Sequence, residues 1–251
     1  MTILSDKTIH ILCSDRYGIH TVTDQFGREK RTYLSAAEAD AWVINHNTMS
    51  GRFGDGSLEC AEYPGRLEIV SNKPMISPFV AQQIRTRTSD TGVAEPVISY
   101  GVSSYGYAFR IAPALRIFTN VNSTMVDPKN PDPLCFIEHQ GPHCIIPPNS
   151  FVLARTLERF DMPPDVTGLC LGKSTIARTG INCLATPVEA GWSGYLTLEY
   201  SNNTPLPAKL YAHEGGLQVV FVQGEQLCDT TYSERKGKYS DQPPAIVGAR
   251  V

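Results

Sequence analysis

Charge is scarce in this chain. Asp, Glu, Lys and Arg make up 19% of its 251 residues, and the formal net charge is −3. A protein that coats nucleic acid needs a basic excess to displace counterions, so that class is excluded. No apolar run approaches the roughly 20 residues of a membrane span. The opening MTILSDKTIH has no basic start followed by an apolar stretch, so no signal peptide is expected and the cytoplasm is the expected location. Cysteine is present seven times, an odd number without one C-x-x-C pair. In a cytosolic chain these read as small buried residues, not disulfides.

Three catalytic signatures are also missing. LGKSTIARTG (171–180) looks like a phosphate cradle, yet GxxxxGK[ST] requires a second glycine at position 167, which is Thr. No G-x-S-x-G elbow is present. A zinc deaminase needs H-x-E and P-C-x-x-C. FIEHQGPHC brings Glu138, His139, His143 and Cys144 together at the wrong spacing, so no protein-bound zinc is expected.

What is present is apolar and punctuated. Hydrophobic residues are 41% of the chain, and 20 Gly and 18 Pro separate short runs rich in Val, Ile, Leu, Tyr and Phe. CIIPPNSFVLARTLERF, GYLTLEYSN, PAKLYAH and GLQVVFVQG read as short strands of a sandwich or barrel. The exception is YLSAAEADAWVINHN, where Ser35 and Glu38 form a capping box ahead of helix formers. GIHTVTDQFG and REKRTYL beside it suggest a hairpin. Residues 13–73 therefore read as a small α+β unit. Tyr33, Trp42, Val43, Ile44, Phe53 and Leu67 supply enough apolar surface for it to be ordered.

Three stretches carry chemistry. DVTGLCL reads as a strand and STIAR as a helical turn, with Ser174 and Arg178 on one face. Lys173, Ser174, Thr175 and the backbone amides there can hold a phosphate, or Ser174 is simply an N-cap. GYLTLEYSN alternates, with Leu196, Leu198 and Tyr200 on one face and Tyr195, Thr197 and Glu199 on the other. A carboxylate buried there is raised in pKa and suited to proton transfer, or it is salt-bridged or faces outward. YSERKGKYSDQ offers Tyr232, Arg235, Lys236, Lys238, Tyr239 and Gln242. They either close over an anion or form a solvated tail.

Several long stretches together resemble the deoxycytidine triphosphate deaminases, a branch of the trimeric dUTPase-like superfamily. They are SDKTI, MISPF, ISYGVSSYGYAFRI, FTNVNSTMVDP, CIIPPNSFVLARTLERF, LGKSTIARTGI, TPVEAGWSGYLTLEYSNNTPLPAKLYAHEG and GKYSDQ. Residues from roughly 13 to 73 fall outside the resemblance, as an insertion within a single domain spanning 1–251. The resemblance implies an all-β fold, a distorted barrel or jelly-roll assembled as a homotrimer, with sites between subunits. It implies hydrolysis of dCTP to dUTP and ammonia, which supplies dUTP for dUMP and thymidylate synthesis. It makes Glu199 the catalytic carboxylate, and gives Ser174 and Arg178 the attacking water and the cytosine edge. Lys173 and Thr175 would bind phosphate, Ala185, Thr186 and Pro187 the base, and Glu189 the sugar 3′-OH. Gln218, Tyr232, Lys238 and Gln242 would meet the triphosphate or belong to the tail that closes over it. Magnesium would arrive on the nucleotide, and no protein-bound metal is implied. One departure stands out: the family's SSYGYD carries Asp where this chain has Ala108, in SSYGYAFR. In dUTPases that Asp helps hold a hydrated metal, so its loss argues against pyrophosphate cleavage. A bifunctional deaminase and pyrophosphatase, and a non-catalytic nucleotide-binding regulator, remain the alternatives.

Overall fold

A computed structural model describes residues 1–45, 49–52, 58–60, 63–71, 73–89 and 91–250. Its architecture follows from period-two alternation. The strands Phe151–Asp161 and Ser193–Asn202 alternate half-buried and buried residues without a break. Each thus presents one full face to the interior. They pair antiparallel, and with Ile76–Ser77, Ala114–Phe118, Phe136–Gln140 and Ile181–Leu184 they make a six-stranded sheet. A second six-stranded sheet is built from Thr2–Ile3, Ile84–Thr88, Ala94–Ser103, Gly106–Arg110, Val166–Gly172 and Gly215–Gln223.

The inner faces of the two sheets form the core. Tyr107 and Phe109 of one sheet stack in series with Phe160 of the other, at ring separations of 4.8 and 4.4 Å, and Trp192 extends the stack. Burying each such side chain contributes about 1.5–3 kcal/mol. Two seams join the sheets into a distorted barrel. Ile111 bridges Thr156, and Gly168 exchanges both backbone hydrogen bonds with Val188 at 2.8 Å. The fold is all-β, as expected from the sequence.

Near the N-terminus lies an α+β insertion. The chain leaves the barrel after the helix Asp6–Leu12 and returns at Met75, whose N–H donates to the Leu12 carbonyl at 2.7 Å. Between them a separate five-stranded antiparallel sheet runs in the order Glu29–Ser35, Arg16–Thr23, Tyr63–Ser71, Leu58–Cys60, Met49–Arg52. The helix Ala36–Asn45 lies against it. Its N-terminus is capped as the sequence predicts: the Ser35 N–H and Oγ both donate to Glu38, each at 2.8 Å. Tyr33 and Leu67 are buried, whereas Phe53 and the side chains of Val43 and Ile44 lie outside the described residues.

The FIEHQGPHC residues are held by other contacts. Glu138 pairs with Arg116 at 2.6 Å, His139 bonds the His143 carbonyl at 2.8 Å, and Cys144 is fully buried. Among the described residues no group of three or more His, Cys, Asp or Glu side chains is arranged to hold a metal ion. Cys13, Cys135, Cys144, Cys170, Cys183 and Cys228 are free thiols. No described helix is long and apolar enough to cross a membrane.

Candidate active site

The strand Val166–Gly172 runs directly into the helical turn Ser174–Ala177. Ile176 is the inward anchor of that turn, at 4% exposure. Lys173, not Ser174, occupies the N-cap position, and its side chain makes no capping bond. Ser174 is instead the first helical residue, so the capping role that the sequence left open for it is not seen. Arg178 closes the turn through its N–H to the Ser174 carbonyl at 3.1 Å. Ser174, Thr175 and Arg178 are exposed, but Lys173 is 8% exposed. Burial pushes the Lys173 ammonium below its ordinary pKa. A desolvated cation without a described ion-pair partner favours an anionic ligand.

Glu199 stands on the outer face of Ser193–Asn202, opposite Leu153 on one neighbour and Leu184 on the other. Tyr195, Thr197 and Glu199 are half-buried, while Leu196, Leu198 and Tyr200 point into the core. Glu199 forms no salt bridge with a described residue. Of the alternatives left by the sequence, the salt bridge is not seen among the described residues, while the outward-facing position is; even so, burial raises the carboxyl to about 7. Burial also pushes the thiols of Cys170 and Cys183 up to about 12, with the Glu199 charge adding to the effect. Those neighbours therefore stay protonated at neutral pH.

Turn and strand are linked by Ile181–Leu184, which pairs with the Glu199 strand and packs against Ser174–Ala177. A cavity of about 420 Å³ opens at this junction, lined by Lys173, Ile176, Ile181, Cys183, Ser201 and Asn203 among others. Thr175 opens instead onto a concavity of about 800 Å³ that contains Arg85, Tyr211 and Glu214. Glu199, Ser174 and Arg178 line neither. A single chain thus brings the turn and the carboxylate onto neighbouring elements, and neither of these two cavities holds both.

The remaining sequence-selected residues fall into two groups. Ala185, Thr186 and Pro187 connect Ile181–Leu184 to the Val188 seam; Ala185 packs on the core while Thr186 and Pro187 are exposed. Gln218 lies on Gly215–Gln223 between Leu171 and Ala108. Ala108 is 3% exposed and offers no oxygen there. Glu189 receives a hydrogen bond from Arg235. The last group, Tyr232, Lys238 and Gln242, belongs to a C-terminal tail that is folded onto its own barrel.

Backbone contacts seat that tail. The Tyr232 N–H donates to the Ala190 carbonyl at 3.0 Å, and its hydroxyl accepts from the Tyr239 N–H at 3.1 Å. Trp192 Nε1 donates to the Tyr239 carbonyl at 2.7 Å. The Tyr195 N–H donates to the Gln242 carbonyl, and Thr197 Oγ1 to Gln242 Oε1, both at 3.2 Å. Gln242 thereby reaches the face that carries Glu199, two residues further along. Only glycine permits this at position 194: φ is 129°, and a Cβ there would stand 2.4 Å from the Gln242 nitrogen. Lys238 Nζ bonds the Arg250 carbonyl at 3.2 Å and stays exposed.

Two contributors escaped the sequence reading. Trp192 holds the tail, and its signal was simply that the chain has two tryptophans, one of them beside the Glu199 strand. Arg155, opposite Thr197, lies over the Tyr195 ring at 5.0 Å with a buried, unpartnered Nε. A basic residue within the alternating FVLARTLERF was the available sign.

A family model described as dCTP deaminase-like matches residues 79–224. A dCTP deaminase of Rickettsia bellii (strain OSU 85-389) is 53% identical over 175 residues, covering 70% of this chain and 90% of the relative. A dCTP deaminase of Laribacter hongkongensis (strain HLHK9) is 54% identical over 168 residues, 67% of this chain and 87% of the relative. A crystal structure of 2′-deoxycytidine 5′-triphosphate deaminase from Agrobacterium tumefaciens aligns with a TM-score of 0.39 and 15% identity, over 56% of this chain and 44% of that one.

Proposed function

The chain belongs to the dCTP deaminase-like family, and we propose that it hydrolyses dCTP to dUTP and ammonia by proton transfer through Glu199. The observation that carries the mechanism is a half-buried carboxyl group without a counter-ion among the described residues, raised by burial to about 7. At neutral pH such a group both accepts and returns a proton. Ionised Glu199 takes a proton from water as its oxygen bonds to C4 of cytosine, and delivers that proton to N3. The second proton of the adding water passes through the same carboxylate to the exocyclic amine, and the C4–N4 bond breaks to release ammonia. Acid–base help of this kind is worth about 10²–10⁴-fold. Arg178 and Ser174 orient the water and the ring edge by charge-assisted and neutral hydrogen bonds.

Lys173, Thr175 and the turn's backbone amides take the triphosphate, which offsets the buried ammonium of Lys173. Ala185–Pro187 meet the base, and Glu189 lies toward the sugar. Gln218, Tyr232, Lys238 and Gln242 approach the phosphates, with magnesium carried by the nucleotide. Ser174, Arg178 and Glu199 line neither of the two cavities above, in keeping with a homotrimer as the working unit, with sites between subunits. Residues 13–73 are an inserted unit within a single domain, and the protein acts in the cytoplasm.

Ala108 decides the product. Cleavage of the triphosphate needs a metal-held water aligned on the α-phosphate, and alanine supplies no ligand. Incubation with dCTP is therefore expected to release ammonia and dUTP with its triphosphate intact, read by chromatography and phosphorus NMR. Stoichiometric pyrophosphate would make the chain bifunctional, and binding without turnover would make it a nucleotide-binding regulator.

A further inference from the structure

The turn Pro163–Pro164–Asp165 sits where three parts of the molecule meet. Its side-chain contacts face the insertion: the Tyr33 hydroxyl donates to Asp165 Oδ1, and Gln223 Nε2 donates to Asp165 Oδ2 at 2.9 Å. Gln223 Nε2 also donates to the Arg31 carbonyl at 3.0 Å, tying the barrel strand to the insertion's Glu29–Ser35 strand. Tyr33 and Asp165 are each 7% exposed, so this is a buried junction.

The backbone of the same turn faces the root of the tail and the loop that carries Glu189. The Gly224 N–H donates to the Asp165 carbonyl at 2.8 Å, and Cys228 Sγ contacts the Pro164 carbonyl at 3.2 Å. These contacts fix the start of the tail as it leaves the barrel. The Gly191 N–H donates to the Pro163 carbonyl at 3.2 Å, and the Met162 N–H to the Trp192 carbonyl at 2.9 Å. Those contacts hold the loop on which Glu189 and Trp192 stand. Gly191 itself lies so close under the tail that a Cβ would be 2.6 Å from Thr231. One turn therefore carries the root of the tail, the loop that the tail lies on, and the insertion's contact with the barrel.

We propose that Tyr33 and Asp165 are positioning residues through which the insertion seats the C-terminal tail over the nucleotide. Carboxylate oxygens held by two buried donors fix the turn's orientation. Its carbonyls then present a fixed track to Gly224, Cys228 and Gly191. Loss of the Tyr33 hydroxyl leaves one carboxylate oxygen without its buried donor, an imbalance the turn relieves by moving. The tail and the Glu189 loop move with it, and the groups that meet the phosphates lose registry. Neither residue touches the substrate, so the effect belongs in substrate affinity, not in the chemical step. This inference rests on the tail's assignment to the triphosphate given above.

The test is Tyr33→Phe in the full chain, read by amide hydrogen exchange without nucleotide and by steady-state kinetics with dCTP. Exchange is expected to rise at least about tenfold across 226–242 and 189–195, with the Ala114–Phe118 strand unchanged. KM for dCTP is expected to rise about three- to tenfold with kcat within twofold. Unchanged tail exchange overturns the proposal, as does faster exchange with unaltered KM. A uniform rise that includes Ala114–Phe118 means a merely structural role and also overturns it. Asp165→Asn, which keeps shape and removes charge, is held to the same readouts if Tyr33→Phe does not fold. Because exchange is read without substrate, a chain that fails to deaminate dCTP still shows whether the insertion and the tail are coupled.

Discussion

Replacing Glu199 by Gln tests the site through two quantities that share one cause. The carboxyl is raised from an ordinary 4.5 to about 7 by burial. At about 1.4 kcal/mol for each pH unit, that is about 3 kcal/mol of cost for ionising it in the folded state. Solvent reaching the half-buried group reduces this to about 1.5 kcal/mol. The sign follows from linkage. Below pH 4.5 both folded and unfolded chains hold the proton, and the residue adds no pH dependence. Between 4.5 and about 7 the folded chain keeps a proton that the unfolded chain has released, so stability falls as pH rises. Above about 7 the whole cost is present. Glutamine never ionises, so Glu199→Gln should match wild type near pH 4 and exceed it by about 1.5 kcal/mol at pH 8. Urea denaturation at both pH values and one protein concentration measures this. In the same variant, ammonia release should fall at least about a hundredfold. The wild-type kcat/KM should climb as pH rises through about 7, because the base must be ionised, and the variant should lack that limb. A stability difference that does not change with pH, or turnover near wild type, refutes the reasoning.

Two further outcomes are expected. Gly194→Ala puts a methyl group against the Gln242 backbone at a φ that L residues rarely adopt, so the tail should lift and KM should rise about tenfold; an unchanged KM would detach the tail from the site. Light scattering should give the mass of three chains, and an active monomer would remove the argument for shared sites.

The barrel was legible because its strands announce themselves. Ten residues of Ser193–Asn202 alternate in burial much as their sequence alternates in polarity, and eleven of Phe151–Asp161 alternate in burial even though Thr156 and Glu158 are among the buried ones. The Ser35–Glu38 box marked a helix start for the same local reason. The turn at Lys173 was legible as strand followed by helix, but not which residue would cap it, since a single dihedral decides that. The seating of the tail was not legible. YSERKGKYSDQ has the composition of a solvated segment, and its order comes from partners some 40–80 positions away, such as Trp192 and Arg159. The Asp165 junction was hidden for the same reason: Tyr33 lies 132 positions from it.

The hydrogen bond between Met75 and Leu12 has a consequence for how such a chain is put together. Because departure and return points are already neighbours, the barrel is indifferent to how much polypeptide hangs between them. Closing a longer excursion costs only about 0.6 kcal/mol for each doubling of its length. That doorway can accept, lose or exchange an entire folded cargo without re-registering a single barrel strand. What the cargo touches inward is then set where it leans on the barrel, which in this molecule includes the Asp165 carboxylate and the Gln223 side chain.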